Sequence, residues 1–317
     1  MSDLIFVALS TFAEHDTAPL RLLENSGYPL RIHRTGKRIT AAELARDAAD
    51  AAVIIAGVEL YDAATINNLP ALRCISRCGV GVDAIDLPVA RQRGITVANT
   101  PTIPVQAVAE LALTMFLALS RNLRSQGKCM EARQWQKTTG HLLAGRTVGL
   151  LGFGRIGQKV AALCRAFDAR VLVHDPRTTA STAQELGVVL VEKQQLLNES
   201  DIVSLHASKN AGQTVLISAL ELSLMKPGSI LVNLARGEMV DEAALVEALQ
   251  SGHIAGAGLD VFCVEPYQGP LCDFNQVILT PHTATLTFET RSAMEFQCVQ
   301  NALDFLGGKL SADRRVV

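Results

Sequence analysis

Residues 149–157 read GLLGFGRIG, a glycine-rich turn set between an apolar run at 147–151 and a helix-like run from Arg155 to Phe167. Few patterns constrain a fold so tightly. Gly152 permits a sharp turn out of a strand, Gly154 lets backbone come close to a pyrophosphate, and Gly157 lets helix and sheet pack together. The open N–H groups and positive end of the helix, which Arg155 and Ile156 begin, then favour phosphate. A second apolar run, Arg170 to His174, ends in Asp175, at the spacing of about 20 residues where a carboxylate accepts hydrogen bonds from a ribose diol. Such a site takes a dinucleotide. The charge of Asp175 opposes a 2′-phosphate, which favours NAD over NADP; Arg177 reads as an exposed loop arginine, with the alternative that it offsets this repulsion.

A chain of 317 residues has room for about two domains, each with its own core. At 49% hydrophobic and 19% charged, with a formal net charge of −2 and no lysine or arginine block, it is a globular chain whose charge speaks against nucleic acid or an anionic membrane as partner. A small molecule is the expected partner. The apolar run at the N-terminus is short and carries Asp3 where a secretory signal would be positive, so it reads as a first buried strand and a cytoplasmic location is expected. The apolar stretch Val105 to Leu119 is interrupted by Gln106 and Glu110 and falls short of a membrane span. Cys74, Cys78, Cys129, Cys164, Cys263, Cys272 and Cys298 form an odd set without a CxxC pair, so free and mostly buried thiols are expected, and no metal site.

Strand-like runs at 4–9, 28–33, 51–56, 72–76 and 95–98 alternate with helix-like segments before the glycine turn, and a second series follows it at 170–174, 188–191, 201–206, 230–235, 256–262 and 277–280. Alternation of this kind predicts parallel sheets covered by helices, in two α/β domains. Thr40 and Glu43 have the spacing of a capping box. The run from Val105 to about Asn122 is apolar around most of its circumference, which predicts a helix buried between domains or against another subunit. The polar stretch 124–142, with Trp135, suits neither core and is expected to be an arm that makes an oligomer contact.

A dinucleotide site says what is bound; the reaction is argued from residues at the carboxyl ends of strands. Arg236 follows the run Ile230 to Ala235, Glu265 lies just beyond the run ending in Phe262, and His282 follows Thr280-Pro281. These three types suit hydride transfer to or from a hydroxy acid. A histidine titrates in the right range to shuttle the carbinol proton. A carboxylate fixes its tautomer and stabilises the imidazolium, and an arginine forks onto the substrate carboxylate. Taken singly each has an ordinary explanation: Arg236 as a strand-end cap or a partner of Asp241, Glu265 as a solvated loop acid, His282 as a satisfied core histidine. His174 and His206 end strands near the cofactor edge, whereas His15, His33, His141 and His253 read as surface or loop residues.

The blocks SRCGVGVDAID at 76–86, VANTP at 97–101, GRTVGLLGFGRIG at 145–157, NLARGEMVDEAAL at 233–245, GLDVFCVEP at 258–266 and LTPHTA at 279–284 together resemble the NAD-dependent D-2-hydroxyacid dehydrogenase family, and within it the short D-3-phosphoglycerate dehydrogenase-like members. The resemblance covers nearly the whole length. It implies an α/β architecture of two doubly wound parallel-sheet domains, a Rossmann cofactor domain at 101–285 inserted in a flavodoxin-like substrate domain at 1–100 plus 286–317, and a homodimer built through the cofactor domains. It implies Arg236, Glu265 and His282 as catalytic residues. It places Val80 and Gly81 on the substrate carboxylate, Arg155 and Ile156 on the pyrophosphate, Asp175 on the ribose and Asp260 on the nicotinamide amide. His206 and Ala235 complete the expected cofactor set with Gly152, Gly154 and Gly157, and Arg77 is a candidate substrate ligand.

Two segments depart from the family pattern, Ile103 to Ala107 after NTP and Ala207-Ser208-Lys209-Asn210 after His206. A third bears on the substrate: where the serine-pathway members usually place a phosphate-holding arginine, this chain has Ala56-Gly57-Val58-Glu59, and an acid there opposes a phosphate dianion. With the chain ending at Val317, feedback through an appended regulatory domain is not expected. The competing reading from another class is an NAD-sensing, corepressor-type binding protein without turnover; formate dehydrogenase is disfavoured by Glu265, where that enzyme typically has glutamine.

Overall fold

The computed structural model describes residues 3–208 and 215–317. They form two compact units, Met1–Pro104 with Leu286–Val317, and Val105–Thr285. Lys209 and Asn210, part of the segment after His206 noted above, lie outside the described residues.

In unit 1, strands β1 (Leu4–Val7), β2 (Leu30–Ile32), β3 (Ala51–Ala56), β4 (Cys74–Arg77) and β5 (Thr96–Ala98) alternate with helices α1 (Ala18–Glu24), α2 (Ala41–Asp47), α3 (Ala63–Asn67) and α4 (Leu87–Gln92). The sheet is parallel, ordered β2-β1-β3-β4-β5. Its central strands read as unbroken apolar runs because helices cover both faces; every residue of β3 is buried. Thr40 and Glu43 close a reciprocal capping box on α2. On one face of the sheet the chain's return, the later helix Phe288–Leu306, packs Met294, Cys298, Val299 and Ala302 against Ile5, Val7, Val53 and Cys74.

Unit 2 opens with α5 (Val105–Ser120) and α6 (Leu123–Glu131), and then builds β6 (Thr147–Leu151), α7 (Arg155–Ala166), β7 (Arg170–His174), α8 (Ala180–Glu185), β8 (Val189–Leu190), α9 (Lys193–Glu199) and β9 (Ile202–Leu205). It continues with α10 (Ala219–Leu224), β10 (Ser229–Asn233), α11 (Glu242–Gln250), β11 (Ile254–Leu259) and β12 (Val277–Leu279), after which α12 (Phe288–Leu306) belongs to unit 1. All pairings are parallel and the order is β12-β11-β10-β9-β6-β7-β8. Strand order therefore reverses between β6 and β9, and in unit 1 between β1 and β3; crevices at the carboxyl ends of such switch points are where open α/β sheets hold ligands.

The arm at 124–142 is partly helical, a feature its polarity hid: α6 buries no residue and starts after Asn122 in the left-handed region (φ 54°). Among the histidines read as surface or loop residues, His33 lies in the loop after β2 but is buried rather than exposed, its Nε2 bonded to Lys37 O at 2.9 Å and Thr35 Oγ1 at 2.7 Å. The cysteines are free; Cys74, Cys78, Cys164 and Cys298 are buried, whereas Cys263 and Cys272 are exposed. No helix among the described residues is long and apolar enough to cross a membrane, and no His/Cys/Asp/Glu group among them could hold a metal ion.

Candidate active site

The glycine turn lies at the switch point of unit 2. Gly152 has φ 98°, and a Cβ there would lie 2.5 Å from Ala207 N and 2.6 Å from the carbonyl carbon of His206, so the turns after β6 and β9 touch through backbone. A Cβ on Gly157 would collide with Gly152 O, which is the close helix-to-turn packing that needs glycine. Gly154 differs: a Cβ there would meet nothing within 4 Å, and Gly154 caps α7 without a side-chain hydrogen bond. The open space and the uncapped first-turn N–H groups of Arg155, Ile156 and Gly157 fit a pyrophosphate.

Asp175, 8% exposed, accepts from Phe153 N–H on Oδ2 (2.8 Å) and from Arg177 N–H on Oδ1 (2.8 Å), so it ties the glycine turn to the end of β7. Beside it opens a cavity of about 200 Å³, lined by Gly152, His174, Asp175, Arg177, Lys193 and Ser208 among others. The Arg177 guanidinium is 3.8 Å from Asp175 Oδ1 and its side chain is 74% exposed, whereas Lys193 is paired with Glu221 at 2.8 Å. His206 is half-buried, bonded to Ser204 Oγ at 2.9 Å, and desolvation pushes its imidazole down from 6.5 to about 4. The unfolded chain takes up that proton near 6.5 and the folded chain resists until about 4, so stability is full above this window and falls as pH drops through it. His206→Gln is expected to flatten the melting temperature against pH in that window; an unchanged slope would reject the assignment.

Arg236 is presented by the turn that ends β10. Asn233, 1% exposed, donates through Nδ2 to Arg236 O (2.7 Å) and accepts from Ala235 N–H on Oδ1 (2.9 Å), while Arg236 Nη1 donates to Ala235 O (2.6 Å). Asp241 caps α11 through Ala244 N–H at 3.1 Å. Gly237 then makes the site possible, because any Cβ there would overlap the backbone of Phe262 and Cys263. That contact draws the Arg236 turn against the segment carrying Glu265.

Glu265 accepts from Phe262 N–H (3.1 Å), Glu242 on α11 accepts from Cys263 N–H (2.9 Å), and the Phe262 and Tyr267 rings stack with centroids 4.3 Å apart. His282 faces this carboxylate, Nδ1 lying 3.2 Å from Oε1 and 3.0 Å from Oε2. With Nδ1–H donated to Glu265, Nε2 is left to exchange a proton. His282 sits in the left-handed region (φ 55°), where a residue bearing a Cβ is strained. Asp260 supplies the restraint: fully buried, it accepts from Thr280 Oγ1 (2.5 Å), Thr283 N–H (2.7 Å) and Ala284 N–H (2.9 Å), while its own carbonyl accepts from His282 N–H (2.9 Å). The observed bonds of Asp260 thus build the turn that aims His282.

In unit 1, Val80 and Gly81 lie in the loop after β4. Gly79 (φ 138°) donates to Thr100 Oγ1 (2.9 Å), and Asn99 Nδ2 donates to Val80 O (2.8 Å). Asn301 on α12 in turn donates to Asn99 O (3.0 Å). The Arg77 guanidinium lies across Gly79, in the space a Cβ would need. Glu59 points inward, 4% exposed, and accepts from Gly57 N–H at 2.6 Å; desolvation raises its carboxyl above the ordinary value against the opposing pull of that bond, Arg38 and Arg77. The sequence pointed to neither Asn233 nor Gly237 nor the bonding of Asp260; their signal was only their place inside the NLARG and GLDVF blocks.

A parallel α/β sheet with a glycine turn at its switch point, and a His–Glu pair and an arginine at neighbouring strand ends, define a dinucleotide-binding protein with acid–base groups beside its sheet crevice. Residues 113–284 match the family model for the D-isomer specific 2-hydroxyacid dehydrogenase, NAD binding domain. The chain is 37% identical over 265 residues to the D-3-phosphoglycerate dehydrogenase of Mycobacterium leprae, covering 83% of this chain and 50% of that protein. It is 38% identical over 262 residues to the glyoxylate reductase of Pyrococcus furiosus, covering 80% of this chain and 78% of the relative. The structure of D-lactate dehydrogenase from Aquifex aeolicus with NAD and lactic acid superposes with a TM-score of 0.87 at 28% identity, covering 99% of both chains. The chain belongs to the D-2-hydroxyacid dehydrogenase family, and its cofactor is NAD. It spans about half the length of the mycobacterial relatives it matches.

Proposed function

We propose that the protein interconverts a D-2-hydroxy acid and its 2-oxo acid, with Arg236, Glu265 and His282 as its catalytic residues. The observation that carries this reading is the His282–Glu265 pair at 3.0 Å, held by a buried aspartate in a strained turn. NADH, when bound, supplies the hydride. His282 Nε2 gives its proton to the carbonyl oxygen as that oxygen gains charge, Glu265 stabilises the imidazolium that precedes the transfer, and Arg236 forks onto the substrate carboxylate. In unit 1, the backbone N–H groups of Val80 and Gly81 are the donors proposed for a substrate carboxylate, their loop fixed by Thr100 and Asn99.

The substrate we favour is a short, unphosphorylated acid, because the loop after β3 carries a buried glutamate where a phosphate-holding arginine would be useful. Arg38 and Arg77, whose charges both act on Glu59, favour D-3-phosphoglycerate as the second reading. NADH oxidation against hydroxypyruvate, its 3-phosphate, glyoxylate and pyruvate decides between them. Quenching of NADH fluorescence with no turnover of any 2-oxo acid would instead support a binding protein of the corepressor type, and the catalytic reading would be lost. A cytoplasmic setting suits such a reaction.

Two copies are proposed to pair through the arm of unit 2. Leu123, Met130, Trp135 and Leu142 expose 56%, 55%, 80% and 70% of their surface there, more apolar area than a solvated arm needs. Sedimentation is expected to give a dimer that Trp135→Glu with Leu142→Glu converts to monomer; an unchanged dimer would place the contact elsewhere.

A further inference from the structure

Ala13 lies in the left-handed region, with φ 61°. Residues with a Cβ avoid this conformation, and where it persists the surroundings over-determine it, most often at functional sites. The restraint here comes from α12. Glu295, 2% exposed, accepts from Ala13 N–H on Oε2 (2.9 Å) and from Arg291 Nε on Oε1 (2.6 Å), and Arg291 Nη2 donates to Thr11 Oγ1 (3.0 Å). Two charged side chains one turn apart thus grip the loop after β1 on both sides of Phe12. Packing α12 on the sheet needs no such pair, for its neighbours Met294, Cys298 and Val299 already fill that face with apolar atoms. A carboxylate is desolvated at this position for the sake of the loop.

The place of that loop gives the restraint a purpose. It leaves the carboxyl end of β1 and flanks the β1/β3 switch point, the ligand-holding crevice of a sheet with this order. The loop after β4 that bears Val80 and Gly81 leaves the same edge of the sheet. We propose that residues 10–14 form the wall that meets the substituent on the carbonyl carbon of the substrate, and that Glu295 is a positioning residue which fixes this wall through Ala13 and Arg291. The inference rests on the reading of the protein as a 2-oxo acid reductase and extends it to selectivity: a substrate with only hydrogen on that carbon does not meet the wall, and one with a larger group does.

The test compares wild type, Glu295→Gln and Ala13→Val, measuring kcat and KM for glyoxylate and hydroxypyruvate and NADH affinity by fluorescence. Glu295→Gln removes the charge that holds Arg291; Ala13→Val leaves that pair intact and expels the loop by placing a β-branched residue at positive φ. In both variants KM for hydroxypyruvate is expected to rise roughly tenfold, with KM for glyoxylate and NADH affinity changed less than about twofold, since a misplaced contact penalises only the substrate that uses it. Equal changes for the two acids, or none, would overturn the proposal. Should Glu295→Gln fail to fold, Ala13→Val alone decides. Wild-type inactivity toward both acids sinks the activity reading and this proposal with it, whereas an active wild type with unaltered selectivity in the variants sinks this proposal alone.

Discussion

Replacing His282 by alanine is expected to lower turnover of the 2-oxo acid by about 10²–10⁴-fold, the range that a positioned general acid contributes, while NADH still quenches on binding. Asp175 and the glycine turn, which hold the cofactor in our reading, share no hydrogen bond with His282, so the two measurements separate cleanly. Alanine at φ 55° adds backbone strain of its own. His282→Asn is the sharper variant, since asparagine adopts the left-handed region more readily and keeps the turn built by Asp260. Both variants should lose activity alike. Turnover retained in His282→Asn would remove the imidazole from the mechanism and leave the buried aspartate serving a turn of another purpose.

The second large effect is expected at Gly152. An alanine there places its Cβ 2.5 Å from Ala207 N and adopts φ 98°, a region that costs a residue with a Cβ about 1–3 kcal/mol. Relief requires the turns after β6 and β9 to part, which moves Phe153 off Asp175 and tilts the first turn of α7. NADH affinity should fall by about a hundredfold or more, from the strain together with the lost pyrophosphate contacts, and the melting temperature should fall with it. Gly154→Ala makes the contrast. Its Cβ meets no protein atom, so it should leave the melting temperature unchanged while weakening NADH through the space the ligand needs. Equal melting losses for the two variants would mean that the turn is held by something other than this backbone contact.

The sheets were legible because parallel strands covered on both faces must be continuously apolar; Ala51–Ala56 and Thr147–Leu151 are buried throughout. The glycines of the fingerprint were legible because each answers a steric demand local to a few residues. What stayed hidden depends on pairs far apart in the chain. Asp260 bonds a turn more than 20 positions on, Gly237 is required by backbone at Phe262, and Asn301 supports Asn99 across 202 positions. The burial of His33 stayed hidden for a local reason, since the loop after β2 folds back so that Thr35 Oγ1 and Lys37 O meet its ring. The helix α6 was missed because its apolar side is marked by little more than Leu123 and Met130, two positions too far apart in a short polar segment for a period to be read. The meeting of His282 with Glu265 was inferred from chemistry, two complementary groups at neighbouring strand ends, and the distance between them is the part only the structure supplies.

The return of the chain to unit 1 through α12 has a consequence for biosynthesis. The face of the first sheet formed by Ile5, Val7, Val53 and Cys74 is covered by Met294, Cys298 and Val299, residues made only after the whole of unit 2. Unit 2, continuous from Val105 to Thr285, is complete before them. At about 5–20 residues per second the ribosome needs roughly 10–35 s to traverse that stretch. For that interval the nascent first sheet carries an uncovered, greasy face and waits on a chaperone or on its own slow collapse, so the emergence of α12 sets the moment at which the first hundred residues become safe from aggregation.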